Sequence, residues 1–249
     1  MTEQPKIEIC ANSAESALRA QQGGAYRVEL CAGIPEGGTT PSYGEILMAR
    51  KHLTTTKLHV IIRPRGGDFL YSEDELEIMR HDVEQCRKMG VDGVVFGCLT
   101  ADGAIDIEAM KPLMEAAEGM NVTFHRAFDM CKDPMRALEQ IIALGCTRIL
   151  TSGQEPTAEA GIPLLAELVR KAGDRIVIMP GCGVRPKNIR KIAEETGAGE
   201  FHFSGRKSVE SGMEYRNPRV SMGGTVKIEE YERDVTAPEL VRAAYDALK

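Results

Sequence analysis

The chain contains no tryptophan, and aromatic residues make up only 5% of its 249 positions. Its core must therefore come from aliphatic and thioether side chains, with twelve methionines among them. Long apolar runs are also missing. No stretch approaches the roughly 18 residues needed to span a bilayer, so no membrane role is expected. There is no excess of positive charge: 31 Lys and Arg against 37 Asp and Glu give a net charge of -6. That balance argues against a dedicated nucleic-acid surface, which needs clustered cations to replace counterions. The opening Met1-Thr2-Glu3-Gln4-Pro5 lacks the basic start and apolar run of a signal peptide. Seven cysteines, an odd number without close spacing, fit reduced thiols better than a disulfide framework. The expectation is a soluble cytoplasmic protein. Cys-x-x-Cys, His-Glu-x-x-His and P-loop patterns are absent, which removes the commonest zinc, redox and nucleotide signatures.

What is present is a regular alternation. Apolar strand-like runs recur near 6–10, 26–31, 57–62, 92–96, 121–125, 147–151, 175–180 and 200–204. Helical patterns follow at 13–23, 43–52, 73–89, 106–118, 134–144, 158–171, 186–196 and 237–248. Ser13, Ser72 and Asp133-Pro134 supply helix starts, and Gly23-Gly24, Gly90 and Gly145 fall where helices should stop. Eight strand-helix units in about 250 residues predict an α/β fold, a (β/α)8 TIM-type barrel in one domain over residues 1–249. A doubly wound open sheet is the competing architecture, but no Gly-x-Gly-x-x-Gly follows the first strand. One connection breaks the rhythm: a long loop over 205–235, containing Gly223-Gly224, precedes the last helix. Loops this long are usually lids, binding loops or solvated excursions, and in a barrel this one leaves from the active-site face.

Side chains alternate faces along a strand. With Ile7, Ile9, Val28 and Leu30 turned to the helices, Glu8 and Cys10 face the barrel axis together with Glu29 and Cys31. The same rule turns His59, Thr123, His125, His202 and Ser204 inward. An ordinary barrel interior is filled with Val, Ile and Leu, and each buried polar group requires a partner. A ligand or catalytic site at the C-terminal mouth is therefore expected.

The third strand ends in Arg63-Pro64-Arg65-Gly66-Gly67-Asp68-Phe69 and the fifth in His125-Arg126-Ala127-Phe128-Asp129. Arginine forks suit a carboxylate or phosphate. The alternative is a structural network in which Arg63 neutralises Glu8 or Glu29 while Asp68 pins Arg65. Glycine turns at Gly181, Gly183 and Gly205-Arg206 follow the last two strands, where barrels often cradle phosphate on backbone N–H groups. These features assign Arg63, Arg65, Asp68, Arg126, Gly181, Gly183 and Arg206 to a candidate anion site. In an enzyme of this kind Glu8, Glu29 or His125 would move protons or bind a divalent ion. No lysine faces inward at a predicted strand end, so a Schiff-base aldolase is disfavoured. Cys10 and Cys31 form a pair by position alone. Two thiolates at that spacing can hold Cu(I), or the two can be plain core thiols.

Five segments carry a family resemblance. They are Val28-Glu29-Leu30-Cys31, Glu36-Gly37-Gly38-Thr39-Thr40-Pro41-Ser42, Ile61 to Phe69, Val122 to Met130, and Leu150-Thr151-Ser152-Gly153. Together they resemble the CutC copper-homeostasis family over essentially the whole chain. The resemblance implies a (β/α)8-type barrel, a cytoplasmic homo-oligomer (dimer or tetramer), and Cu(I) held by the positions matching Cys10 and Cys31. Two functions follow as expectations: Cu(I) binding tied to copper homeostasis, or an enzyme acting on a small phosphorylated or carboxylate metabolite.

Overall fold

Residues 4–223, 226 and 229–249 are described by a computed structural model. Eight short strands alternate with eight helices. In chain order these are β1 (Lys6–Ala11), α1 (Ala14–Gln22), β2 (Arg27–Leu30), α2 (Tyr43–His52), β3 (Lys57–Ile61), α3 (Glu73–Lys88), β4 (Gly93–Phe96) and α4 (Ile107–Ala116). They continue with β5 (Asn121–Phe124), α5 (Pro134–Ala143), β6 (Arg148–Thr151), α6 (Ile162–Ala172), β7 (Val177–Pro180), α7 (Ile189–Thr196) and β8 (Glu200–Phe203). A two-stranded ribbon, β9 (Arg206–Glu210) and β10 (Glu232–Thr236), precedes α8 (Pro238–Ala247).

The capping signals work locally as expected. Ser13 Oγ accepts from the Ser16 amide, and Ser72 and Glu75 form a reciprocal capping box at the start of α3. Asp133 caps α5 with Pro134 in its first turn. Helix α7 begins three residues later than its apolar pattern, because Asn188 folds back to accept from the Arg185 amide and holds a turn there.

The eight strands are parallel and pair in the order β7-β6-β5-β4-β3-β2-β1-β8, which is a nearly closed barrel. β7 lies beside β8, but among the described residues no ladder joins them. β7 ends in Pro180, which has no N–H to give. Apolar side chains such as Ile7, Ile9, Val28, Leu30, Val60 and Phe201 fill the layer between strands and helices and are fully buried. Each contributes on the order of 1.5–3 kcal/mol by leaving water.

The connection over 205–235 carries a strand near each end. β9 and β10 pair antiparallel across it, from Arg206 opposite Thr236 to Glu210 opposite Glu232. The ribbon is fastened to the barrel where Asn12 donates to the Asp234 carbonyl and the Thr236 amide donates to Ser16 Oγ. Gly224 of the expected glycine pair lies outside the described residues. No helix among the described residues is long and apolar enough to cross a membrane.

Candidate metal and ligand site at the barrel mouth

Strand register decides which polar groups meet inside the barrel. Glu8 sits opposite Arg27 on one side and His202 on the other; Cys10 sits opposite Glu29, and Glu29 opposite His59. The interior is therefore stacked, with an ionic layer below and a thiol layer above.

The lower layer is a closed ion network. Arg27, 2% exposed, donates to Glu8 and, at 2.5 Å, to Glu200. Arg148 reaches Glu200 at 3.2 Å, and His202 Nδ1 lies 2.8 Å from the other Glu8 oxygen. Both oxygens of Glu8 are thus engaged beneath the mouth, so it does not reach the cleft as the expected proton carrier. Burial opposes its ionisation, but Arg27 and the hydrogen bond to His202 outweigh it and hold the carboxyl well below its ordinary range. His59 faces the small Gly93, and burial pushes its imidazole down to about 3. Position alternation applied one step earlier on each strand would have found Arg27, Arg148 and Glu200, which share faces with Glu29, Leu150 and His202.

The upper layer holds the thiols. Cys10 Sγ and Cys31 Sγ are 3.3 Å apart, packed against Ile61 and Val95. These two sulfurs and a Glu29 oxygen all lie within 4.8 Å of one another, the one cluster among the described residues able to hold a metal ion. Arg206 Nη2 donates to Cys10 Sγ at 3.3 Å. The hydrogen bond from Cys31, aided by His202 and Arg206, draws the Cys10 thiol well below its ordinary range against the effect of burial. Cys31 moves the opposite way, because it donates to Cys10 and is buried beside that charge. Burial pushes the Glu29 carboxyl up to about 8. Burial works against a charge on His202, yet hydrogen bonds to Cys10 and Glu8 and the nearby carboxylates raise it well above the ordinary imidazole range.

A cleft opens above the thiols in two lobes of about 400 and 590 Å³. Cys10, Arg126, Cys182, His202 and Arg206 border both. Larger cavities of about 650 and 890 Å³ lie at the opposite end of the barrel and contain none of the candidate residues.

Not every expected anion ligand reaches this cleft. Arg65 donates to Glu75, Asp68 and the Gly66, Asp68 and Leu70 carbonyls, and neither it nor Asp68 borders either lobe. Asp68 does pin Arg65, at 3.0 Å. Arg63 borders the inner lobe but does not neutralise Glu8 or Glu29. It ties the loop after β2 to its own loop through the Glu36, Gly38 and Gly67 carbonyls and stacks on Phe69. Arg126 leans on Asp129 at 2.7 Å and Ser152 at 3.1 Å, and 43% of its side chain remains exposed. His125, 4% exposed, packs against Phe69 and has an imidazole pushed down to about 3 by burial and by Arg63. Gly183, at φ 75°, borders the outer lobe. Gly181 instead packs closely, its amide spent on the Thr151 carbonyl and any Cβ lying 2.4 Å from Leu150.

Residues 5–207 match the CutC family. The chain belongs to the CutC family. A CutC family protein of Bacteroides fragilis is 65% identical over 242 residues, 97% of this chain and 96% of that protein. The crystal structure of a CutC from Streptococcus agalactiae, named for copper homeostasis, superposes with a TM-score of 0.77 at 38% identity, covering 80% of this chain and 98% of that one. Thiamine phosphate pyrophosphorylase from Pyrococcus furiosus, at 14% identity and a TM-score of 0.59 over 98% of this chain and 95% of that one, shares the barrel alone. Within the CutC family frame, the thiol pair ends the first two strands and the cleft sits directly above it.

Proposed function

We propose that this CutC family chain binds one Cu(I) ion between Cys10 and Cys31 and serves copper homeostasis, as the name of its Streptococcus agalactiae relative suggests. The observation that carries the reading is the 3.3 Å separation of the two sulfurs at the base of an accessible cleft. Thiolates are soft donors that favour Cu(I). Two thiolates and one Cu(I) carry a net negative charge, which Arg206 beside Cys10 Sγ would balance. Two soft sulfurs against a single carboxylate in the cluster favour Cu(I) over a hard divalent ion, which prefers an all-oxygen shell. The cytoplasm suits this role, since all seven cysteines are free thiols. We also propose a homo-oligomer, dimer or tetramer, which light scattering of the purified chain would test.

Titration of reduced protein with Cu(I) against a competing chelator checks the metal site. One ion should bind per chain. Cys10→Ser with Cys31→Ser should weaken binding by roughly a hundredfold or more, beyond what loss of an outer-shell partner costs. Undiminished affinity in that double variant would refute the thiol site.

A further inference from the structure

Buried polar atoms in folded proteins nearly always have partners, and the exceptions here are concentrated. Seven buried side-chain N or O atoms among the described residues lack a hydrogen-bond partner. Four of them, Glu29 Oε1, Arg63 Nε, His125 Nε2 and Arg206 Nε, belong to residues bordering the inner lobe of the cleft. Glu29 and His125 are each 4% exposed, so bulk water does not reach them freely.

Charge adds a second, independent demand. Arg63 donates to three backbone carbonyls and lies beside the Tyr71 hydroxyl, and among the described residues no carboxylate pairs with it. The guanidiniums of Arg126 and Arg206 border both lobes, and the Nη1 group of each meets no acceptor among the described residues. The amides of Cys182, Gly183 and Val184, at the rim of the outer lobe, likewise meet no acceptor there. Ordered water can satisfy orphaned donors one at a time, but it brings no negative charge. Ile34, Ile61 and Leu150 supply apolar wall between the polar groups. Few convergent polar groups in a partly apolar cavity of a few hundred Å³ describe a small-molecule site.

We infer that the cleft binds a small organic anion of metabolite size, a phosphate monoester or a carboxylate, with its acid group on Arg126 and Arg206. Its remaining polar groups lie in the inner lobe, which Glu29 and His125 border. The inference does not rest on copper being bound, although Arg206 also donates to Cys10 Sγ, which is why the test uses copper-free protein.

Calorimetry and thermal melting on copper-free, reduced protein test it, with glycerol 3-phosphate and malate as charged probes and glycerol as the neutral control. At least one charged probe should bind one-to-one and raise the melting temperature, while glycerol does neither. Binding of glycerol 3-phosphate alone assigns the site to phosphate monoesters, and of malate alone to carboxylates. Arg126→Gln should weaken binding about tenfold or more, the size expected for a charged hydrogen bond. Arg126→Lys, which keeps the charge but loses the fork, should recover only part of it. Arg170→Gln, on an exposed side chain of α6, should change nothing. Arg126 also pairs with the buried Asp129, so the melting temperature of each variant without probe is read beside its binding, and Arg126→Lys keeps a cation for that pair. The inference is overturned if neither charged probe outperforms glycerol, or if Arg126→Gln binds the probes as well as the unaltered chain.

Discussion

Arg27 shows how one interior side chain organises this barrel. It lies at the start of β2 and bridges Glu8 on β1 to Glu200 on β8, so it ties three adjacent strands together with charge. Charges this deep are costly unless paired, and removing one partner leaves the others uncompensated. Arg27→Met keeps most of the volume but leaves two carboxylates sharing only Arg148 and His202. The expected loss is about 3–5 kcal/mol in urea unfolding. Adding Glu8→Gln, Glu200→Gln and Arg148→Met to that variant should restore much of the loss, because neutral replacement of a whole buried network is often close to neutral, whereas leaving Arg148 in place would strand its charge. If Arg27→Met alone costs no more than a surface substitution, the network does not hold the strands together.

At the scale of elements, the barrel was legible because strands and helices each bury one apolar face and the two periods differ. Capping residues such as Ser72 and Asp133 then placed helix starts to within a residue. The site was legible in part. Strand alternation brought Cys10, Cys31, Glu29, His125 and His202 to one cleft, but it gave no depth, so Glu8 was assigned to the mouth although His202 and Arg27 cover it. Arg63 and Arg65 looked alike in sequence. Their partners are carbonyls and a glutamate on loops and on α3, contacts that no local pattern encodes. The ribbon was missed because β9 is largely exposed and carries only a weak alternation. Gly93 on β4 is also explained only by its neighbour: a Cβ there would lie 2.5 Å from His59 Nε2 and 2.7 Å from the Asn121 carbonyl oxygen. Gly93→Ala should therefore destabilise by roughly 1–3 kcal/mol through overpacking. A thermal melt unchanged by that substitution would mean that both the His59 ring and the β5 backbone at Asn121 have room to give.

For the whole molecule, the interior polar groups set the response of stability to pH, and their signs differ. His59 and His125 hold values of about 3, below the ordinary 6.5, chiefly because burial disfavours their charged forms. As the pH falls from 6.5 towards 3 the unfolded chain therefore binds more protons than the folded one, and each histidine withdraws stability by up to about 1.4 kcal/mol per pH unit. Glu29, raised to about 8, works the other way between pH 8 and its ordinary 4.5, where the folded state takes up a proton first. Glu8, held low by Arg27 and His202 despite burial, contributes fully above 4.5 and loses its contribution as the pH falls below it. His202, raised, stabilises fully below 6.5 and loses its effect only as the pH rises through its folded value, so it is constant across the acid window. A single variant isolates one of these contributions from the rest. His125→Asn is less stable near neutral pH because it disturbs packing against Phe69, but it cannot take up the proton that penalises the imidazole. The gap in unfolding free energy between the unaltered chain and His125→Asn should therefore narrow by about 1 kcal/mol between roughly pH 7 and pH 5.5. Urea titrations of both at the two pH values measure it. A gap that stays constant would show that His125 titrates like an exposed histidine, and so that the inner lobe is wetter than its walls imply.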